Sequence, residues 1–205
     1  MNLANKLTIV RICMVPLYIL FMELGGFYNV VLALIVFCIA SITDFFDGRV
    51  ARRNKIITSL GIFLDPLADK LLISSAFICF IKIPSLEMEP WIVITIIARE
   101  FLITALRSIA ASKNIVIPAD KFGKIKTTIQ IVVIMFVMII LILNEARFKF
   151  SNITPNVFKI CDNEYYFILY AIMAKATFWL SLIVVMITIF SGVKYIYKYR
   201  NLICE

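Results

Sequence analysis

The stretch YNVVLALIVFCIASITDFFDGRVARRNK, residues 28–55, decides how the whole chain is read. From Tyr28 to Phe46 it is apolar apart from small polar side chains and a single charge, Asp44, near its end. Such a run suits the roughly 20 helical residues needed to cross about 30 Å of hydrocarbon. It then breaks into Asp47, Gly48 and the cluster Arg49, Arg52, Arg53 and Lys55. A span that ends in basic residues ends at a cytoplasmic, anionic lipid face.

Five further stretches have the same character: Leu7–Leu24, Leu67–Ile83, Trp91–Ala111, Ile125–Leu143 and Ala176–Tyr195. The sequence therefore predicts an all-α, polytopic membrane protein with six transmembrane helices, folded as a single domain over residues 1–205. Composition agrees: 62% of residues are hydrophobic and 17% charged, against about 45–50% apolar in soluble domains. The first stretch holds Arg11 and Pro16 and precedes no small-residue cleavage site, so it reads as a span rather than a signal peptide. Gly25-Gly26 predicts a tight turn into the second span.

The net charge of +8 would suggest a nucleic-acid partner in a soluble chain. Here the basic residues flank spans and meet lipid headgroups, and no nucleic-acid partner is expected. Lys6 and Arg11, the cluster after the second span, and Arg107, Lys113, Lys121, Lys124 and Lys126 around the fourth connector lie on one side with Lys194, Lys198 and Arg200. The opposite connectors hold no basic residue, or hold Lys82 beside Glu87 and Glu89, or balance Arg147, Lys149 and Lys159 with Glu145, Asp162 and Glu164. Both termini are expected in the cytoplasm, with the inner (plasma) membrane as the location. Residues 144–163 read as an outer connector with room for a short helix on the surface, and Tyr195, Tyr197 and Tyr199 as an interfacial belt.

There is no histidine, which excludes Ser-His-Asp chemistry and histidine-ligated metals. The five cysteines are odd in number and scattered, and read as small buried hydrophobes. Chemistry is left to the carboxylates. Asp44, Asp47, Asp65 and Asp69 fall within 26 residues, at the cytoplasmic ends of consecutive spans. An ionised aspartate at mid-bilayer costs about 2.5–3.5 kcal/mol, so four of them need neutralising partners. Asp44 and Asp47 (i, i+3) share one helix face, as do Asp65 and Asp69 (i, i+4). An antiparallel hairpin lets both pairs converge as hard oxygen ligands for Mg²⁺ or Mn²⁺, and two divalent ions balance four carboxylates. The alternative is ion pairing with Arg49, Arg52, Arg53 and Lys70.

The segment Asp44-Phe-Phe-Asp47-Gly48-Arg-Val-Ala51-Arg52, then Gly61, Asp65 and Asp69, follows D-x2-D-G-x2-A-R-x8-G-x3-D-x3-D throughout. On these residues the chain resembles the CDP-alcohol phosphatidyltransferase family. The resemblance implies that Asp44, Asp47 and Asp65 hold two divalent ions, with Asp69 completing the site and acting as catalytic base. It further implies that Gly48, Ala51, Arg52 and Gly61 shape the CDP-diacylglycerol pocket, and by analogy that the protein is a homodimer.

Other stretches, Asn5-Lys-Leu-Thr8-Ile-Val-Arg11, Ala98–Arg107 and Gly123–Gln130, resemble the branch of the family that uses glycerol 3-phosphate as acceptor. Charge points the same way. Asn5, Thr8 and Arg11 lie within about a 120° arc of one helix. Arg99, Arg107, Lys124 and Lys126 add cations that an acceptor bearing a phosphate would need. These residues also fit ordinary positive-inside positions, and Glu100 can orient a neighbouring arginine. The expected partners are CDP-diacylglycerol, glycerol 3-phosphate and membrane lipids. Cardiolipin, phosphatidylinositol-phosphate or phosphatidylserine synthesis, polyprenyl transfer and cation transport through the aspartates are the competing readings.

Overall fold

The computed structural model describes residues 3–54, 59–112, 121–153 and 163–198. Among them every long element is a helix: α1 (Leu3–Leu24), α2 (Phe27–Asn54), α3 (Ser59–Ile81), α4 (Pro90–Ser112), α5 (Lys121–Ile153) and α6 (Asn163–Lys198). A single 3₁₀ turn, Pro84–Leu86, separates α3 from α4. Each of the six apolar stretches falls on its own helix, save for the last two residues of the third, Lys82 and Ile83, which follow α3. Two described stretches are long and apolar enough to cross a membrane, Ile125–Ala146 and Lys175–Tyr195, and Phe27–Thr43 and Lys70–Ile81 are shorter apolar segments.

The turn between α1 and α2 is made by backbone freedom. Gly25 and Gly26 have φ of +60° and +79°, the left-handed region that L-residues with a Cβ occupy at a cost. No neighbouring atom lies within 4 Å of where a Cβ would stand at either position, so conformation and not space calls for glycine. The first turn of α2 is closed by Asn29 Nδ2 donating to the Gly25 carbonyl (2.8 Å) and by the Val30 amide donating to that of Gly26 (3.1 Å). Folded back in this way, α1 packs on α2 and α3. Pro16 sits inside α1, where it removes the bond that the Ile12 carbonyl would accept.

Fully buried aromatics fill the interior. Tyr18 and Phe37 meet at 5.9 Å between ring centroids, tilted by 52°. Tyr18 Oη lies 3.9 Å from Met138 Sδ, which joins α1 to α5. Phe77 and Phe80 on α3 and Ile134 on α5 are also fully buried. The opposite faces are apolar too: Leu20, Leu24, Ile35, Ile94, Val132, Trp179, Met186 and Phe190 are exposed. An outer surface this apolar suits contact with lipid and not with water.

At the glycine-turn end, polar links tie the helices together. Lys82, just past α3, pairs with Glu23 at the end of α1. Lys149 of α5 stands over the Tyr28 ring, 3.2 Å from its centroid, and 5.3 Å from that of Phe27.

Three features of the structure differ from what the sequence predicts. Of the cysteines read as small buried hydrophobes, Cys79 is buried but Cys13 is exposed. Residues 144–163 read as a connector, yet α5 continues to Ile153 and α6 begins at Asn163. The polar run Asn144-Glu-Ala-Arg-Phe-Lys contains good helix formers, no glycine or proline, and a Glu145/Lys149 pair at i, i+4. Loss of hydropathy ended the apolar run without ending the helix. Tyr195, expected in an interfacial belt, is 9% exposed and packs with Ile103 and Ala110 of α4. Tyr197 is exposed as expected, and Tyr199 lies outside the described residues.

Candidate active site

Chemistry in this bundle concentrates where α3, α4, α5 and α6 carry polar side chains into an apolar interior. Lys126 and Gln130 are one turn apart on α5, so they share a face, and both are 1% exposed. That face meets Glu100 of α4. Glu100 Oε1 accepts a hydrogen bond from Lys126 Nζ and a longer one from Gln130 Nε2 (3.4 Å). Its second oxygen lies 3.8 Å from Arg99 Nη1. Arg99 reaches in turn to α6, where Nη2 donates to Ser191 Oγ at 2.7 Å.

One carboxylate thus serves two cations on two helices, α4 and α5, with Ser191 of α6 joined through Arg99, and the cluster keeps one positive charge in excess among the described residues. A cleft opens beside the cluster, lined by Lys70, Ile73 and Ser74 of α3, Ile96 and Glu100 of α4, and Thr127 and Gln130 of α5. Lys70 follows Asp69 directly in the chain, and Ile73 lies one helical turn beyond it.

The backbone of α2 carries positions 44, 47, 48, 51 and 52, and that of α3 carries 61, 65 and 69. The side chains of Asp44, Asp47, Asp65, Asp69, Ala51 and Arg52, together with the surroundings of Gly48 and Gly61, lie outside the described residues. So do the side chains of Arg107 and Lys124. Among the described residues no group of three or more acidic or cysteine side chains is placed to hold a metal. Thr8 and Arg11 are both 1% exposed, on a helix packed against α2 and α3. Of the proposed acceptor cations, Arg99 and Lys126 are brought together through Glu100.

Gln130, Ser191 and Gly192 are members of this cluster that were not singled out as site residues. A signal for α6 was present in the sequence. Thr177, Ser181 and Thr188 recur at helical spacing through an apolar span, and all three are fully buried. Ser191 continues that stripe into the charged cluster.

Apolar outer faces around an interior cluster of paired charges suit a helical protein that works within a membrane. The CDP-alcohol phosphatidyltransferase family matches residues 1–190. Relatives include the CDP-diacylglycerol–glycerol-3-phosphate 3-phosphatidyltransferases of Bacillus subtilis, 42% identical over 146 residues (65% of this chain, 74% of that one), and of Rickettsia felis, 40% over 144 residues (70% and 76%). The Escherichia coli protein of the same name is 34% identical over 142 residues (67% and 76%). The chain belongs to the CDP-alcohol phosphatidyltransferase family. Members of this family generally depend on divalent metal.

Proposed function

We propose that the protein transfers the phosphatidyl group of CDP-diacylglycerol to the primary hydroxyl of sn-glycerol 3-phosphate, giving phosphatidylglycerophosphate and CMP. The observation that carries this reading is the positively charged Arg99–Glu100–Lys126 cluster beside a cleft that begins one residue after Asp69. It suits an acceptor that already bears a phosphate, and the relatives carry the name of that reaction.

Asp44, Asp47, Asp65 and Asp69 form an all-oxygen donor set that fits two Mg²⁺ or Mn²⁺ ions and offers no soft ligand. Bound there, the ions would supply Lewis acidity toward the diphosphate. Asp69 takes the proton of the acceptor hydroxyl. That oxygen then bonds to the phosphatidyl phosphorus, the bond from phosphorus to the CMP oxygen breaks, and CMP departs. Gly48, Ala51, Arg52 and Gly61 flank the donor's cytidine diphosphate. Thr8, Arg11, Arg99, Arg107, Lys124 and Lys126 receive the acceptor's phosphate. All six helices cross the inner membrane with both termini and the reaction centre on the cytoplasmic side, and the protein works as a homodimer among membrane lipids.

The test is a panel of labelled acceptors offered to purified protein with CDP-diacylglycerol and Mg²⁺. Glycerol 3-phosphate should release CMP and form the phosphorylated lipid, whereas serine, inositol phosphate and phosphatidylglycerol should not. Preference for another acceptor would move the chain to a different branch of its family. Absence of CMP release with every acceptor would end the enzymatic reading. Within the acceptor site, Arg107→Ala should raise the KM for glycerol 3-phosphate on the order of tenfold, as loss of a charge-assisted contact does. An unchanged KM would remove Arg107 from that site.

A further inference from the structure

We propose that the Ser191–Gly192 step of α6 positions Arg99, and through it sets the affinity for the acceptor's phosphate. The proposal rests on the reading of Arg99 as a phosphate-binding cation. Neither α6 residue touches the reacting atoms, so both are positioning residues.

Three features of the geometry carry it. First, Ser191 Oγ accepts from Arg99 Nη2 at 2.7 Å, the short direct bond that fixes the far end of the guanidinium. Second, the arginine stem lies flat on Gly192. A Cβ built there would stand 3.2 Å from Arg99 Cγ, 3.5 Å from Nε and 3.9 Å from Cδ. The first of these is tighter than ordinary van der Waals contact, so any side chain at position 192 shifts the stem. Third, Arg99 Nε is buried with no hydrogen-bond partner among the described residues. That nitrogen lies on the Gly192 side of the stem, 3.5 Å from where a Cβ would stand, so a side chain at position 192 would crowd the guanidinium as well as the stem.

Glu100 faces the other edge of the guanidinium as a longer ion pair, with Nη1 at 3.8 Å from its carboxylate. A planar cation gripped on two sides loses less rotamer freedom when it meets an oxyanion than a free one does. α4 and α6 pack against each other directly, so the grip belongs to the helix interface. The last helix, far in sequence from the aspartate signature, is thereby made part of the acceptor site.

Steady-state kinetics of the full-length protein in detergent or proteoliposomes test this, with the variants Ser191→Ala, Ser191→Thr, Gly192→Ala and Arg99→Ala. Ser191→Ala and Gly192→Ala should each raise the KM for glycerol 3-phosphate on the order of tenfold, with kcat and the KM for CDP-diacylglycerol within about twofold of the parent. Ser191→Thr should recover most of the loss. Placed on Arg99→Ala, which itself raises the acceptor KM, either α6 change should add nothing, the mark of residues that act through one another. If Arg99→Ala raises the KM while both α6 variants leave it alone, or if their effects persist without Arg99, the positioning role is overturned and the acceptor reading stands. If Arg99→Ala leaves the KM untouched, both are overturned. Should Gly192→Ala extract poorly, Ser191→Ala and its threonine rescue decide the matter.

Discussion

Asp69→Asn should abolish CMP release almost completely while the protein still inserts into membranes and extracts in normal yield. The substitution keeps the shape of the side chain and removes both its charge and its ability to take a proton. Loss of general-base assistance alone costs about 10²–10⁴-fold in rate, and Asp69 is also read as part of the divalent-ion site, so the two losses fall on one residue. Lys70, next in the chain, lines the cleft whose walls include Glu100 and Gln130, which puts the acceptor cluster at the right end of α3 for this role. Radiolabelled CDP-diacylglycerol turnover, read beside a detergent melting curve, separates catalysis from folding. Substantial turnover in the asparagine variant would take the base assignment away from Asp69.

The Glu100–Lys126 pair should show the second large effect, this time in stability. Lys126 is 1% exposed and takes its counter-charge from Glu100. Removing one member of a buried pair strands the other, at about 3–5 kcal/mol. Glu100→Gln and Lys126→Met should each lower the detergent melting temperature markedly. The double variant should come back in part, because Lys126 is no longer stranded, while Arg99 loses its counter-charge and keeps only the neutral glutamine oxygen and Ser191 as partners. Its acceptor KM should nevertheless stay high, since Lys126 is read as a phosphate ligand. Single variants that melt with the parent would show that water, and not Glu100, satisfies Lys126.

The six helices were legible in the sequence because their signal is a local pattern, hydropathy over about 20 residues, although two described stretches qualify as spans by length and composition. Helix ends were less so. Hydropathy reports where lipid ends, whereas α5 runs on to Ile153 on the strength of helix-forming polar residues. Tyr195 looked interfacial beside Tyr197 and Tyr199, but a long-range neighbour, α4, covers it. The acceptor cluster was half visible. Arg99, Glu100 and Lys126 stand out as charges within apolar stretches, yet that Glu100 bridges α4 to α5 depends on how the two helices pack. Ser191 and Gly192 carry no charge at all and gain meaning only from the arginine laid across them.

Tyr18, Phe37, Phe77, Phe80, Ile134 and Met138, drawn from α1, α2, α3 and α5, are all fully buried in one apolar core. Such a hydrocarbon plug offers a hydrated ion or a proton nothing to exchange its water for. The interior shared by α1, α2, α3 and α5 thus gives a charged solute no polar partner among these six side chains save the Tyr18 hydroxyl, which lies against Met138.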